Sequence, residues 1–233
     1  EAGENVLTDI SFKAKKGQTI AVIGSTGSGK STLINLIPRY YDVTKGSVKV
    51  DGVDVRDMTQ KELRDKLGYV PQKGVLFSGT IDSNIRYGKP EITDAQVKEA
   101  AEVAQATEFI DTKPEKYKSP VSQGGTNVSG GQKQRLSIAR AIAKDPEIFI
   151  FDDSFSALDF KTDSQLRKAL KEYTKDATTV IVAQRISTIL GADQIIVLDD
   201  GHMAGIGTHK ELMANCEVYQ QIARSQLSEE ELA

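Results

Sequence analysis

The feature that most constrains this chain is a glycine-rich run that reads Gly-Ser-Thr-Gly-Ser-Gly-Lys-Ser from Gly24 to Ser31. It matches the pattern G-x-x-x-x-G-K-[ST] in full, and it lies between a strand-like segment, residues 19–23, and a helical pattern. Such a loop turns its backbone N–H groups inward around phosphate oxygens at a helix start. A glycine-rich turn without a ligand is the alternative, and it leaves both flanks unexplained. The predicted phosphate contacts are Gly24, Ser25, Thr26, Gly27, Ser28, Gly29, Lys30, Ser31 and Thr32.

Within this loop, Lys30 is expected to reach the β and γ phosphates, and the Ser31 hydroxyl is expected to ligate Mg²⁺. The metal needs an acidic partner on a buried strand, and the apolar residues 148–151 end in Asp152. An unpaired buried charge is costly, so a carboxylate at this place favours a metal partner. Apolar runs that end in Asp are also common in ordinary α/β proteins, and only the pairing with the phosphate loop makes this one specific.

The hydrophobic periodicity alternates between strand-like and helix-like segments along the chain. Residues 19–23, 148–151, 179–183 and 194–198 are predicted strands, and residues 30–37, 94–104, 131–143, 162–173 and 218–225 are predicted helices. This alternation predicts an α/β fold with a mostly parallel sheet covered by helices. Residues 47–50, followed by Asp51 and Gly52, predict a small antiparallel piece. Strand signals disappear between residues 72 and 130, which indicates an inserted helical lobe.

Charge and composition exclude several classes of function. The formal charge of −3 provides no excess of positive field for nucleic acid. No apolar run approaches the roughly 18 residues that cross a bilayer. Cys216 is the single cysteine, and two histidines beside it make no zinc cluster. A reducing, cytosolic setting fits this composition best.

Residues 127–135 read Asn-Val-Ser-Gly-Gly-Gln-Lys-Gln-Arg. They closely resemble the signature sequence of ATP-binding cassette (ABC) proteins, with Val where Leu is usual. Gln72 resembles the Q-loop glutamine of that family, and Gln184 stands at its switch position. Residues 39–42 and 76–85 resemble the exporter branch. The signature residues are Val128, Ser129, Gly130, Gly131 and Gln132, and the D-loop residues are Ser156, Ala157, Leu158 and Asp159.

The resemblance implies a RecA-like phosphate-loop core with a small antiparallel β subdomain and an inserted helical subdomain. The expected limits are 1–72 and 144–225 for the core, 73–143 for the helical subdomain and 226–233 for a tail. ATP and Mg²⁺ are the implied ligands, with Ser31, Gln72 and Asp152 at the metal. The resemblance also implies a transmembrane domain fused upstream, a place at the cytoplasmic face of the membrane and no nucleic acid partner.

The signature segment is also a second anion-binding helix start, whereas the chain has one phosphate loop. In the family, two such domains meet head to tail, and each offers its signature to the ATP of the other. A simple helix cap by Ser129 is the alternative. Two consecutive glycines weaken a helix start, so a closely approaching ligand explains them better.

Two positions depart from the family pattern. Asp153 replaces the usual Glu that polarises the attacking water, which withdraws the carboxylate by about 1.5 Å. Gln184 replaces the usual His, and it cannot gain a proton near neutral pH. Together they resemble the weakly hydrolytic half of a heterodimeric ABC exporter. A fully hydrolytic homodimer in which Asp153 replaces Glu is the alternative.

The family stacks adenine on an aromatic residue upstream of the first strand, and residues 1–9 contain none. We expect this residue to precede Glu1, and we predict that Phe12 is a core strand residue because it alternates with Ile10.

Two other classes of protein compete with the exporter. A soluble ABC ATPase that clamps nucleic acid or ribosomes would need coiled-coil arms or basic insertions, and the sequence shows neither. A small-molecule kinase would leave the signature segment unexplained.

Overall fold

The structure, a computed structural model, describes residues 6–228 and has the predicted α/β fold. Four strands are neighbours in the order β10-β9-β1-β8, β7 lies beside β4, and two-stranded sheets pair β2 with β3 and β5 with β6. The strands are β1 (Thr19–Gly24), β2 (Lys49–Val50), β3 (Val53–Asp54), β4 (Leu67–Val70), β5 (Gly79–Thr80), β6 (Pro120–Val121), β7 (Ile148–Asp152), β8 (Thr178–Val182), β9 (Gln194–Asp199) and β10 (His202–Gly207). The helices are α1 (Lys30–Asn35), α2 (Gln60–Asp65), α3 (Ile81–Ile85), α4 (Asp94–Val103), α5 (Thr107–Asp111), α6 (Gly130–Ala143), α7 (Phe160–Tyr173), α8 (His209–Asn215) and α9 (Glu217–Gln226).

The chain divides into two compact units. Unit 1 is Glu1–Leu67 with Thr178–Ala233, and unit 2 is Gly68–Ala177. The expected helical subdomain, residues 73–143, falls inside unit 2, and its limits stay a prediction. Of the expected tail, Gln226 is the last residue of α9, and residues 229–233 lie outside the described part of the chain.

Unit 1 is built around β1, in which residues 20–23 are almost fully buried. This strand runs parallel to β8 on one side and to β9 on the other, and β10 is antiparallel to β9. Ile23, Ile195 and Tyr219 belong to the core cluster of this unit. Because the carboxyl ends of parallel strands meet at one edge, the segments that follow β1 and β8 lie at the same edge of the sheet.

Unit 2 is centred on α6, which packs against α3 and α4. Ser129 begins this helix as its N-cap, and Leu136, Ile138 and Ala139 are fully buried on it. Phe149 and Phe151 of β7 are buried as well. The helical character predicted for this region is therefore observed.

Several predictions need correction. The structure has strands at β4 and β10, where the sequence analysis predicts none. In addition, β5 and β6 form a small sheet in a region without strand signals in the sequence. Phe12 lies outside any strand and is only half-buried, so the prediction of a core strand residue is wrong. Local alternation misleads here because residues 10–15 adopt no regular structure, and alternation also occurs in extended loops.

Among residues 6–228, no helix has the length and apolar composition that a bilayer crossing requires. The same residues contain no group of three or more His, Cys, Asp or Glu side chains arranged to hold a metal ion.

Candidate functional site

The phosphate loop connects β1 to α1 in unit 1. Gly27 and Gly29 hold positive φ angles of 82° and 99°, in the left-handed region that favours glycine. A Cβ on Gly29 would also lie 2.6 Å from Leu7 Cδ2, whereas one on Gly27 would meet nothing within 4 Å. The loop is therefore a backbone turn that needs glycine, with open space at its tip.

The side chains of the loop agree with phosphate binding. Lys30 Nζ donates to Gly24 O at 2.9 Å and to Ser25 O at 2.7 Å, so the ammonium group folds over the loop. Ser28 is 2% exposed, and its Oγ has no hydrogen-bond partner among the described residues. Leaving such a buried group unsatisfied is costly. The loop therefore holds the Lys30 ammonium group and the unsatisfied Ser28 hydroxyl, both of which can donate hydrogen bonds to phosphate oxygens.

Gln184 lies just after β8, at the same edge of unit 1 as the phosphate loop. It is exposed, and Gln226 of α9 holds its backbone: Gln226 Nε2 donates to Gln184 O, and Gln226 Oε1 accepts from Ile186 N, each at 2.8 Å. One carboxamide therefore brackets the switch segment, residues 184–186. Nothing in the local sequence indicates this contact, because it joins residues about 40 positions apart.

Asp152 ends β7 in unit 2, as predicted, and it is half-buried. Tyr69 of β4 donates from its hydroxyl to Asp152 Oδ2 at 3.4 Å. Ser154, fully buried, donates to Val70 O at 2.8 Å. These bonds fix the end of β7 against the end of β4. Tyr69 is a site residue that the sequence interpretation missed, although it lies three positions before Gln72.

Asp153 and Gln72 are brought together in unit 2. Gln72 Nε2 donates to Asp153 Oδ2 at 3.1 Å. Asp153 has φ 46°, a left-handed conformation that Asp tolerates better than most residues because its short side chain bonds locally. Backbone geometry alone thus favours Asp over Glu at this position.

The signature segment begins α6 with a complete capping box. Ser129 Oγ accepts from Gln132 N at 3.1 Å, and Gln132 Oε1 accepts from Ser129 N at 3.1 Å. The proposed cap alternative is therefore real: the side chains of this segment satisfy two of the N–H groups at the helix start. The cap explains Ser129 and Gln132, but it does not explain the two glycines between them.

Gly130 has no conformational need in this chain. Its φ is not positive, and a Cβ added to it would meet nothing within 4 Å among the described residues. At Gly131, an added Cβ would make an ordinary contact of 3.5 Å with Ala157 O of the D-loop. Glycine costs about 1 kcal/mol relative to alanine inside a helix. Neither the backbone nor the packing of residues 6–228 accounts for glycine at position 130.

The D-loop, residues 156–159, ends as the cap of the next helix. Asp159 accepts from Thr162 N at 3.0 Å and from Thr162 Oγ1 at 2.7 Å, and these bonds lower the pKa of the Asp159 carboxyl. Ser156 Oγ donates to Asp153 O at 3.1 Å. The D-loop is thus tied to Asp153 at one end and to α7 at the other.

The predicted site residues fall into two sets. Unit 1 holds the phosphate loop and Gln184 at one sheet edge. Unit 2 bonds Gln72 to Asp153 and Tyr69 to Asp152, and it places the signature segment beside the D-loop.

Comparison with known proteins agrees with these motifs. A family profile described as "ABC transporter" matches residues 7–156. An uncharacterized ABC transporter ATP-binding protein of Mycobacterium tuberculosis is 50% identical over 224 residues, which are 95% of this chain and 38% of that protein. A Staphylococcus aureus protein named as a multidrug export ATP-binding/permease protein is 47% identical over 217 residues, 93% of this chain and 38% of that protein.

A solved structure is similar throughout the chain. It is a bacterial Atm1-family ABC exporter with ATP bound, at a TM-score of 0.92 and 39% identity, covering 96% of this chain and 40% of that one. The chain thus spans about two fifths of the length of the relatives that it matches.

Proposed function

Because the chain belongs to the ABC transporter family, we propose that it is the ATP-binding domain that powers an exporter. Similar proteins are named for multidrug export or described as an ABC exporter, which supports this direction of transport. A transmembrane domain is the proposed partner, with this domain at the cytoplasmic face of the cell membrane. The transported substrate would be selected by that partner.

The observation that carries the proposal is the phosphate loop. Gly27 and Gly29 give the loop its two left-handed turns, and the Lys30 ammonium group places a positive charge against the loop backbone. In the proposed complex, Lys30 exchanges its bonds to Gly24 O and Ser25 O for bonds to the β and γ phosphates. Binding of the nucleotide thus replaces contacts that already hold the side chain in place.

The oxygen donors that the motifs single out fit magnesium. Mg²⁺ prefers oxygen ligands and is held by one or two carboxylates together with phosphates and waters. We propose that Ser31, Gln72 and Asp152 hold it, on the basis of their places in the family motifs. When bound, the metal neutralises the charge that develops on the phosphates. Tyr69 keeps the Asp152 carboxylate oriented.

The second proposed partner is another nucleotide-binding domain. The described residues give Gly130 no conformational reason to be glycine. Because a helix start binds anions, a glycine there would let a phosphate from outside the chain approach the backbone closely. The chain's own phosphate loop accounts for one nucleotide. Two domains that meet head to tail would give each signature segment a nucleotide held by the other domain.

The site of this chain is proposed to hydrolyse ATP weakly, as one half of a heterodimer. Asp153 reaches about 1.5 Å less far than Glu, and a base that misses the water by this distance loses rate. Gln184 can donate a hydrogen bond to a phosphate oxygen but cannot supply a proton. A fully hydrolytic homodimer is the second candidate, favoured by the left-handed φ of Asp153, which gives Asp a structural reason.

Replacement of Lys30 tests nucleotide binding. Lys30→Ala leaves phosphate charge uncompensated, and we expect Mg-ATP affinity to fall at least tenfold, about 1.4 kcal/mol. Titration calorimetry on the 233-residue chain measures this, with Lys16→Ala, on the exposed segment before β1, as a charge-matched control. Equal affinities for the Lys30 variant and the parent chain would remove the phosphate-loop assignment.

Restoring the usual residues tests the weak site. We expect Asp153→Glu with Gln184→His to raise ATP turnover above that of either single change, because groups that act on one water are not additive. Steady-state phosphate release from the isolated chain is the measurement. A parent chain that already turns over as fast as the double variant would favour the hydrolytic homodimer.

A further inference from the structure

Gln134 of α6 has both ends of its carboxamide bonded to one short loop of unit 2. It is 1% exposed; its Oε1 accepts from Gly74 N at 2.8 Å, and its Nε2 donates to Pro71 O at 3.0 Å. Gln72 lies between these two anchor points and sends its own Nε2 to Asp153 Oδ2 at 3.1 Å. The loop that contains Gln72 is thus held at both ends by one side chain of α6.

The chemistry of both anchors requires a carboxamide. A backbone N–H can only donate and a backbone carbonyl can only accept, which also fixes which end of the amide faces which. Glutamate in place of Gln134 would keep the bond from Gly74 N but set a second acceptor against Pro71 O. Asparagine would be shorter by about 1.5 Å. Among side chains of this length, only Gln supplies one donor and one acceptor without first binding a proton.

The loop also lies directly on the surface of α6. A Cβ on Gly74 would be 2.7 Å from Ser137 Oγ and 2.9 Å from Lys133 O, so the backbone can approach only without a side chain. One turn further along, Arg140 donates from a terminal guanidinium nitrogen to Val75 O at 2.8 Å. Positions 133, 137 and 140 lie on one face of a helix. That face carries the backbone of residues 71–75.

We propose that Gln134 is the positioning residue for Gln72, and that the start of α6 and the loop of Gln72 move as one body. The proposal rests on the proposed function and on the resemblance of Gln72 to the Q-loop glutamine of the family, which implies that Gln72 senses the γ-phosphate. It extends that function by making Gln134 the link between a phosphate held at Ser129 and the residue that reads the chain's own nucleotide. A shift of α6 at its start would be delivered to Gln72 through this amide.

A double-mutant cycle on γ-phosphate discrimination tests the link. The readout is the ratio of the affinities of the 233-residue chain for Mg-ATP and Mg-ADP, measured for Gln134→Glu, Gln72→Ala and the combination. We expect each single change to lower the ratio by a similar factor, about threefold to tenfold for one hydrogen bond. The combination should lower it no further, because both changes remove the same contact.

Controls separate positioning from loss of stability. Ile138→Val trims a fully buried side chain of the same helix and leaves the amide bonds in place, so it should lower the melting temperature without changing the ratio. Gly74→Ala should push the loop away from α6 and lower the ratio while Gln134 is intact. It serves in place of Gln134→Glu should that variant fail to fold.

The outcomes distinguish this inference from the function on which it rests. An unchanged ratio in Gln134→Glu or Gly74→Ala, or additive losses in the cycle, would overturn the positioning role while the Lys30 dependence of binding stands. Binding that does not depend on Lys30 would instead defeat the proposed function, and the positioning role with it.

Discussion

The two glycine-rich helix starts of this molecule differ in why they contain glycine. In the phosphate loop, Gly27 and Gly29 have positive φ angles, and no side chain cap begins α1 among the described residues. In the signature segment, Gly130 has an ordinary helical backbone, and Ser129 with Gln132 caps α6. The first start is shaped by its own backbone for a ligand. The second is capped by its own side chains, and neither the backbone nor the packing of the described residues gives a reason for glycine at position 130.

The largest effect is expected from substitutions that disrupt the signature segment and leave the phosphate loop intact. Ser129→Arg would place bulk against the γ-phosphate of a partner domain, and we expect hydrolysis by the assembled pair to fall about a hundredfold or more. Gly131→Asp should act similarly through charge. The affinity of this chain alone for ATP should change by no more than about twofold, because substitutions at exposed positions outside a site usually have small effects. Loss of that affinity with normal turnover of the pair would place the signature segment in the chain's own site.

A smaller effect is expected from the backbone of the phosphate loop. Gly29→Ala forces a left-handed conformation, at about 1–2 kcal/mol, and brings a Cβ against Leu7. Gly27→Ala has the same conformational cost without a clash, which makes it the matched variant. We expect both to weaken Mg-ATP binding in calorimetry, with Gly29→Ala the weaker binder. Equal affinities for Gly29→Ala and the parent chain would mean that the loop rearranges freely.

The smallest effect has the opposite sign. Gly130→Ala should raise the free energy of unfolding of the isolated chain by up to about 1 kcal/mol, because alanine favours the helix and meets no neighbour. Denaturant unfolding measures the gain, and the same variant should slow hydrolysis by the pair. A destabilised Gly130→Ala chain would show that the glycine serves this fold after all, and the contrast between the two helix starts would disappear.

Much of the fold follows from local patterns. β1, β7, β8 and β9 lie within one or two residues of their predicted positions, because buried parallel strands are continuous apolar runs. β10 was not predictable in this way, since it is an edge strand whose residues alternate between exposed and half-buried and include Gly205 and Gly207. β4 is four residues long and contains Gly68, too short for any periodicity to emerge.

The candidate site also has parts that local sequence predicts and parts that depend on tertiary contacts. The phosphate loop, the signature segment and Asp152 are contiguous motifs, so their residue types were visible in the sequence. The capping box of Ser129 and Gln132 also follows from spacing alone. The contacts of Gln134 with Pro71 and Gly74 span about 60 residues, and no local pattern encodes such a pairing. The left-handed φ of Asp153 likewise depends on the tertiary fold around it.

The bracket that Gln226 forms around the switch segment has a practical consequence for anyone who expresses this domain. Its two bonds come from the last residue of α9, close to the end of the described chain. A shortened protein that stops before this residue would lose both anchors of Gln184 and Ile186 while keeping every nucleotide motif. Differences in ATPase rate between preparations would then reflect where the gene was cut, rather than the chemistry of the site.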